Sequence, residues 1–234
     1  MEARPLVSVI VPVYDEAATI AQVARRLAEL PQRVEILAVD DGSRDETPAI
    51  LAELEPEIPA LRVERRPHRG KGAAVRCGIA ASAGEIVVIQ DADLEYDPAD
   101  IPRLIEPLID GRADAVYGSR RRGGQAQRTH PFSQYLGNRL LSLLTNVLYN
   151  TTISDMEVGA KAFRGDLVRA FRLISDDFRI EAELTANVVR GNARLYEVPI
   201  TYHGRSYAEG KKITWRDGLL AVAALVRFRF TTLS

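Results

Sequence analysis

The sequence predicts an α/β fold, a mostly parallel, doubly wound sheet sandwiched by helices. Three observations carry that expectation. Short β-branched apolar runs alternate with stretches of helical periodicity through the first half of the chain, the signature of consecutive strand–helix–strand units. Carboxylates follow these runs directly, at Asp15/Glu16, Asp40/Asp41 and Asp91/Asp93, which gathers them at one carboxyl edge, where open α/β sheets place their sites. The chain has 234 residues, 46% of them hydrophobic and 27% charged. That is enough for one well-packed domain, or a domain with an appendage.

Leu6 to Val13 is a Val- and Ile-rich run that reads as the first strand, with Pro12 near its end. From Ala17 to Leu30 the apolar positions Ile20, Val23, Ala24, Leu27 and Leu30 recur at helical spacing. Val34 to Val39 is a second strand, and Asp45 is placed to cap a helix through Leu54. Leu61 to Glu64 is a third strand. The loop His68-Arg69-Gly70-Lys71-Gly72 then precedes a helix from Ala73 to Ala81. Ile86 to Ile89 runs straight into Gln90-Asp91-Ala92-Asp93-Leu94-Glu95. A short continuous apolar run of this kind is expected to be buried on both faces. Alternate residues leaving a strand point the same way, so Asp91, Asp93 and Glu95 are expected to converge and to suit a hard divalent cation such as Mg2+ or Mn2+. A helix from Asp100 to Ile109 and a strand at Ala115 to Tyr117 complete this half. Acidic loops and Lys71 on one edge point to a nucleotide site.

After Gly118 the pattern changes. A basic, Gly-containing loop leads into Phe132 to Tyr149, where Phe132, Tyr135, Leu136, Leu140, Leu143, Leu144, Val147 and Leu148 form an apolar stripe that includes Arg139. Two readings stay open: a core helix whose arginine reaches out to water, or an interfacial helix on lipid with Arg139 meeting a phosphate. Gly159 to Phe163 is strand-like, Glu181 to Arg190 helical, Leu195 to Ile200 a strand and Trp215 to Phe230 a last helix. That helix ends Arg227-Phe228-Arg229-Phe230, which suits either a membrane interface or docking on the protein body.

The formal net charge is -1, but its distribution is uneven. Arg120, Arg121, Arg122, Arg128 and Arg139 fall in one stretch, and Arg205, Lys211, Lys212, Arg216, Arg227 and Arg229 in another. Two basic segments on an acidic body suggest anionic ligands or an anionic surface; no nucleic-acid partner is expected. Cys77 is the only cysteine, so no internal disulfide framework is expected and a reducing cytoplasm is. Met1-Glu2-Ala3-Arg4-Pro5 lacks the apolar stretch of a signal peptide. The longest apolar run, Leu219 to Val226, is far short of the roughly 20 residues that span a bilayer, so the chain is not expected to cross a membrane by itself.

Together these motifs resemble the family 2 glycosyltransferases of the GT-A fold, and within them the polyprenol-phosphate sugar synthases. The residues are Val11-Pro12-Val13-Tyr14-Asp15-Glu16, Asp40-Asp41-Gly42-Ser43-Arg44-Asp45, Gly70-Lys71-Gly72, Asp91-Ala92-Asp93-Leu94-Glu95 and Gly118-Ser119-Arg120, then Ser154-Asp155, Glu181, Glu197-Val198-Pro199 and the run from Gly204 to Lys212. The ordered set covers most of the chain. It implies a nucleotide-sugar site, with Pro12, Tyr14, Glu16 and Asp41 at base and ribose. Asp40 fits as well, one acid of the pair being left to cap the following helix. Asp91 and Asp93, with Glu95 as a third ligand, would hold Mg2+ or Mn2+ on the diphosphate, and Lys71 would add charge beside it. Where relatives often carry Gln or another polar residue, this chain has Glu95.

The resemblance divides one catalytic domain into a nucleotide-sugar-binding half, 1–118, and an acceptor half with amphipathic interface helices, 119–234. It implies inverting transfer of a hexose, mannose or glucose, from a GDP- or UDP-sugar. A lipid phosphate is already anionic and needs positioning cations, for which Arg120, Arg139, Arg205 and Lys211 stand ready. The expected setting is then peripheral, on the cytoplasmic face of the membrane, with a separate membrane protein or a second copy as further partners. The alternative is a soluble or glycan hydroxyl acceptor, which needs a general base, with Asp155 in that role. A third reading is a catalytically silent nucleotide-sugar-binding scaffold.

Overall fold

The computed structural model describes residues 7–122, 132–205 and 215–231. The chain runs β1 (Val7–Val13), α1 (Ile20–Ala28), β2 (Val34–Asp40), α2 (Thr47–Glu57), β3 (Leu61–Arg65), α3 (Lys71–Ala81), β4 (Ile86–Ile89), a 3-10 turn at Pro98–Asp100, α4 (Ile101–Ile109) and β5 (Ala115–Ser119). It continues with α5 (Phe132–Tyr149), β6 (Lys161–Arg164), the short α6 (Gly165–Arg169), α7 (Ile180–Arg190), β7 (Leu195–Pro199) and α8 (Trp215–Phe230). Strand and helix positions follow the sequence closely. The short α6 is absent from the sequence reading, and α3 begins at Lys71, two residues before the expected Ala73. Asp45 does serve the start of α2: it accepts from the Thr47 amide at 2.9 Å and also from the Ala17 amide at 3.1 Å.

One seven-stranded sheet has the order β3-β2-β1-β4-β6-β5-β7. Every pairing is parallel except those of β6, which is antiparallel to both β4 and β5. β1 is therefore followed outward by β2 and β3 on one side and by β4 on the other. This reversal of strand order opens a crevice at the carboxyl edge. The two parts of the chain divided at residue 118 share this sheet. The core is continuous and dominated by strand residues such as Ile10, Leu37, Val88, Val116 and Phe163, all but fully buried. β4 has all four side chains buried, as expected for a strand covered on both faces.

Because β6 runs backwards, its first residue rather than its last lies at the carboxyl edge. Lys161 pairs with Ile89, the last residue of β4, and with Tyr117 of β5. Its side chain is buried there.

α5 buries only part of its apolar side chains, Leu141 and Tyr149, with Leu144 and Leu148 packed against the core. Ser142 and Thr145 face inward and are buried, while Phe132 (73% exposed), Leu140 (54%), Leu143 (57%) and Val147 (72%) face out. The two inward hydroxyls are satisfied by the helix itself, donating to the carbonyls of Asn138 and Leu141. The stripe is therefore divided: Leu144 and Leu148 pack against the core beside the buried Leu141 and Tyr149, Arg139 reaches out to water, and the remaining apolar side chains stay exposed. α8 packs on α5 and α7. Its Ala221, Ala224, Leu225 and Phe228 are buried, while Leu219, Val226 and Phe230 stay exposed. Tyr149 ties the two helices by donating to the Leu225 carbonyl at 2.8 Å, and Arg229 donates to the Leu148 carbonyl. Docking on the body thus accounts for one face of α8 and leaves the other open. Among the described residues no helix is long and apolar enough to cross a membrane.

Candidate active site

The carboxyl ends of β1, β2 and β4 deliver Tyr14, Glu16, Asp41, Asp91 and Asp93 to a single cavity of about 1310 Å³. Pro12, Lys71, Glu95, Arg120 and Arg205 line the same space. Asp40 does not line it. Its carboxylate accepts from the Ser43 amide at 2.9 Å and shapes the loop after β2, so Asp40 is the loop-capping acid and Asp41 the cavity-facing one. Asp41 accepts from the Arg69 amide at 3.1 Å and the Gly70 amide at 2.7 Å, with the His68 imidazole 2.8 Å away. These contacts fold the 66–70 loop over the end of β2. They also bring His68 onto Tyr14, ring centroids 4.2 Å apart, and so build an aromatic wall that the sequence did not reveal. Gly70 has φ +118, and a Cβ there would meet the Asp176 carbonyl oxygen at 2.5 Å; only glycine lets this loop close.

Lys71, at the start of α3, bridges Asp91 at 2.7 Å and Glu181 at 3.0 Å. Glu181 also receives Lys161, which donates as well to the carbonyls of Met156 and Val158. Burial works against charge on Lys71, yet Asp91 and Glu181 outweigh it and raise its pKa. Burial likewise opposes ionisation of Glu181, but Lys161 and Lys71 lower its pKa. This network fixes Asp91, and Gly159 packs against it so closely that a Cβ there would collide with Asp91 Oδ2.

Asp93 is different. Burial, then the charges of Asp91 and Glu95, push its pKa up to about 7, against the pull of Arg205. Arg205 reaches Asp93 at 2.8 Å and Glu16 at 3.2 Å. Among the described residues, four carboxylates (Glu16, Asp91, Asp93 and Glu95) meet two cations, Lys71 and Arg205, which fits a divalent cation brought in with a diphosphate. The expected three-carboxylate cluster is not formed, however. Among the described residues no three His, Cys, Asp or Glu side chains are grouped to hold an ion. The reason is local: β4 stops at Ile89, and Leu94 turns the chain with φ 60, so strand alternation does not persist through Glu95. Glu95 instead accepts from Tyr202 Oη at 3.0 Å and from the Arg205 amide at 2.7 Å. It tethers the 202–205 segment across the cavity. The donor set compatible with an ion is the pair Asp91 and Asp93, and Mg2+ is typically held by one or two carboxylates plus substrate phosphates.

Asp155 is buried behind the cavity wall, with both oxygens on Arg120: Nε and Nη2 each approach to 2.6 Å, and the Arg120 amide to 3.2 Å. Burial opposes its ionisation, but the Arg120 guanidinium holds its pKa below the usual carboxylate range. Arg120 in turn lies over the Tyr202 ring, 4.9 Å from the centroid. Glu197 braces this corner by accepting from the Ser154 amide and hydroxyl, both at 2.8 Å, and from Arg122. Arg139 is exposed on α5, donating to Tyr135 Oη at 2.7 Å, and is not among the cavity-lining residues. Lys211 lies outside the described residues. Toward α5 and α8 the cavity wall becomes apolar, with Leu140, Leu141, Leu144, Val147, Leu219 and Val222.

A mostly parallel sheet with an acidic carboxyl edge and a reversed sixth strand is the GT-A type of α/β fold. The glucosyl-3-phosphoglycerate synthase of Mycobacterium tuberculosis, solved with Mn2+, uridine diphosphate and glucosyl-3-phosphoglycerate, shares it with a TM-score of 0.71 at 21% identity, over 96% of this chain and 80% of that one. The chain belongs to Glycosyl transferase family 2, whose profile matches residues 8–171. It is 30% identical over 209 residues to the undecaprenyl-phosphate mannosyltransferase of Micrococcus luteus, covering 86% of this chain and 85% of that one. It is 30% identical over 210 residues to the dolichol-phosphate mannosyltransferase of Pyrococcus furiosus, and 28% identical over 210 to the dodecaprenyl-phosphate galacturonate synthase of Rhizobium johnstonii. These matches cover 88% and 87% of this chain, but only 58% and 61% of those two proteins.

Proposed function

We propose that the chain is an inverting hexosyltransferase that moves a sugar from a GDP- or UDP-hexose to a polyprenyl phosphate. The observation that carries this reading is one cavity with two chemistries. An acidic and cationic end holds Asp91, Asp93, Lys71, Arg120 and Arg205, and an apolar end is built by α5 and α8. A lipid phosphate needs that combination: fixed cations for the phosphate and an apolar path for the chain. Residues 1–118 supply the donor side, with Tyr14, His68 and Asp41 around the nucleoside. Residues 119–234 supply the acceptor side. Asp91 and Asp93 would hold Mg2+ or Mn2+, which when bound neutralises charge on the leaving nucleoside diphosphate. Glu95 is left to tether Arg205, and Arg205 and Arg120 orient the acceptor phosphate. The relatives' names, which pair a polyprenyl phosphate with a hexose or hexuronate, support the same acceptor class.

The exposed apolar side chains of α5 at the rim of the cavity, beside Arg139, support a peripheral seat on the inner face of the membrane. It would serve a second copy or a membrane protein by the same burial of apolar surface. The hydroxyl-acceptor reading is weakened by Asp155, whose oxygens are both taken by Arg120 and whose lowered pKa makes it a poor base. A donor-by-acceptor screen read by mass spectrometry tests the proposal. Transfer from one GDP- or UDP-hexose to a polyprenyl phosphate is expected; transfer to soluble hydroxyls alone would overturn it.

A further inference from the structure

Glu157 is a cavity residue that the donor and acceptor assignments leave unused. It lies between Asp155 and Gly159, lines the cavity, and feels the charge of Glu181. Neither of its carboxyl oxygens accepts a hydrogen bond from a described residue, and Oε1 is shut off from solvent. The surrounding cations are engaged elsewhere. Lys161 and Lys71 both bond Glu181, and Arg120 grips Asp155. Burial, then the charge of Glu181, push the Glu157 carboxyl up to about 7. Glu157 as a whole is half-buried, but an acceptor oxygen shut off from water and left without a partner is costly, and in native structures such atoms mark a ligand or a function.

The ligand has to bring a hydrogen-bond donor. The polyprenyl phosphate does not fit, because its oxygens are anionic acceptors that offer no hydrogen to Oε1 and that Glu157 repels once it is ionised. The hexose of the donor does fit, since its hydroxyls donate. Its position also agrees: Gly159, two residues from Glu157, packs against Asp91, and the sugar is joined directly to the diphosphate that Asp91 and Asp93 would serve. We infer that Glu157 accepts a hydrogen bond from a hydroxyl of the donor hexose and thereby selects neutral hexosyl donors over hexuronates. This rests on the proposed function and names a specificity residue within it. A hexuronate would set a second carboxylate against Glu157 and Glu181.

The test is equilibrium binding with Mn2+ present, using UDP- and GDP-hexoses, the parent UDP and GDP, and UDP-glucuronate. Glu157→Gln keeps the size of the side chain and is not expected to disturb folding. It should weaken the nucleotide-sugar roughly 10- to 100-fold, the range for one hydrogen bond to a charged group, while the nucleoside diphosphate binds as before. In a series of monodeoxy hexose donors, one position should weaken the wild type but not Glu157→Gln, and UDP-glucuronate should bind the variant relatively better. Equal losses of nucleotide-sugar and nucleoside diphosphate would overturn the inference, as would an unchanged nucleotide-sugar affinity. If the wild type binds no nucleotide-sugar at all, the proposed function falls and this inference with it. Nucleotide-sugar binding that is indifferent to Glu157 removes only the inference.

Discussion

Arg120 clamps Asp155 in a two-point grip, Nε on one carboxylate oxygen and Nη2 on the other, both at 2.6 Å and both away from bulk water. Such a pair sets a wall; it does not move protons. Removing one partner leaves the other buried and uncompensated, at a cost of roughly 3–5 kcal/mol. Asp155→Ala is therefore expected to lower the denaturation midpoint sharply and to weaken acceptor binding. A general base would behave differently, losing turnover with stability intact. The linkage has a definite sign. The folded-state pKa of Asp155 lies below its ordinary 3.8, so the stabilisation is complete above about pH 4 and lost as pH falls below that value. Asp155→Asn should flatten this acid limb in a stability-against-pH series.

Glu157 has the opposite sign. Its ordinary pKa is 4.5, and burial with Glu181 raises it to about 7 in the fold, with Lys161 and Arg120 opposing and Asp155 adding. The folded protein then binds more protons than the unfolded chain between those values. Stability should fall as pH rises from about 4.5 to 7, by at most about 1.4 kcal/mol per pH unit. Glu157→Gln is expected to be more stable than wild type at pH 8 and indistinguishable at pH 4. Chemical denaturation at the two pH values checks this.

Asp93 and Asp91 should answer together to metal. Chelation is expected to abolish transfer and to weaken nucleotide-sugar binding, with Mn2+ or Mg2+ restoring both. Asp93→Ala should lower turnover by roughly 10²–10³, the cost of removing a preorganised charge at a developing anion. Glu95→Gln should lose much less, because Glu95 holds Tyr202 and the Arg205 amide. Calorimetric titration of each variant with Mn2+ and nucleoside diphosphate separates the two cases.

What the sequence disclosed and what it withheld follow from the range of the interactions involved. β1 through β5 and their helices are encoded by local periodicity, so their positions were legible, as was the acidic edge. Asp40 and Asp41 could not be told apart because the difference lies in a contact with residues 68–70, distant in sequence. Lys161 was invisible as a site residue because only the reversed direction of β6 brings its strand start to the carboxyl edge. Glu95 shares the cavity with Asp91 and Asp93 but does not form an ion-holding group with them, because alternation ends with the strand. Periodicity also identified the apolar stripe of α5 without saying which side of it faces the protein, since a pattern defines a face and not its neighbour.

That outward face gives the last prediction. Leu140, Leu143 and Val147 are each more than half exposed on α5, while Ser142 and Thr145 are buried beneath. An exposed contiguous apolar stripe marks an interaction site, and basic residues beside it favour an anionic surface. Transferring one leucine side chain out of water contributes about 1.5–3 kcal/mol. Leu143→Glu combined with Val147→Glu should therefore lower binding to liposomes containing anionic lipid by 100-fold or more in a flotation assay. The same double variant should keep its denaturation midpoint, because both side chains are more than half exposed, but should also weaken transfer to polyprenyl phosphate, because both line the apolar end of the cavity. If the face instead joins two copies, the wild type will sediment as a dimer without lipid, the double variant as a monomer, and flotation will not separate them.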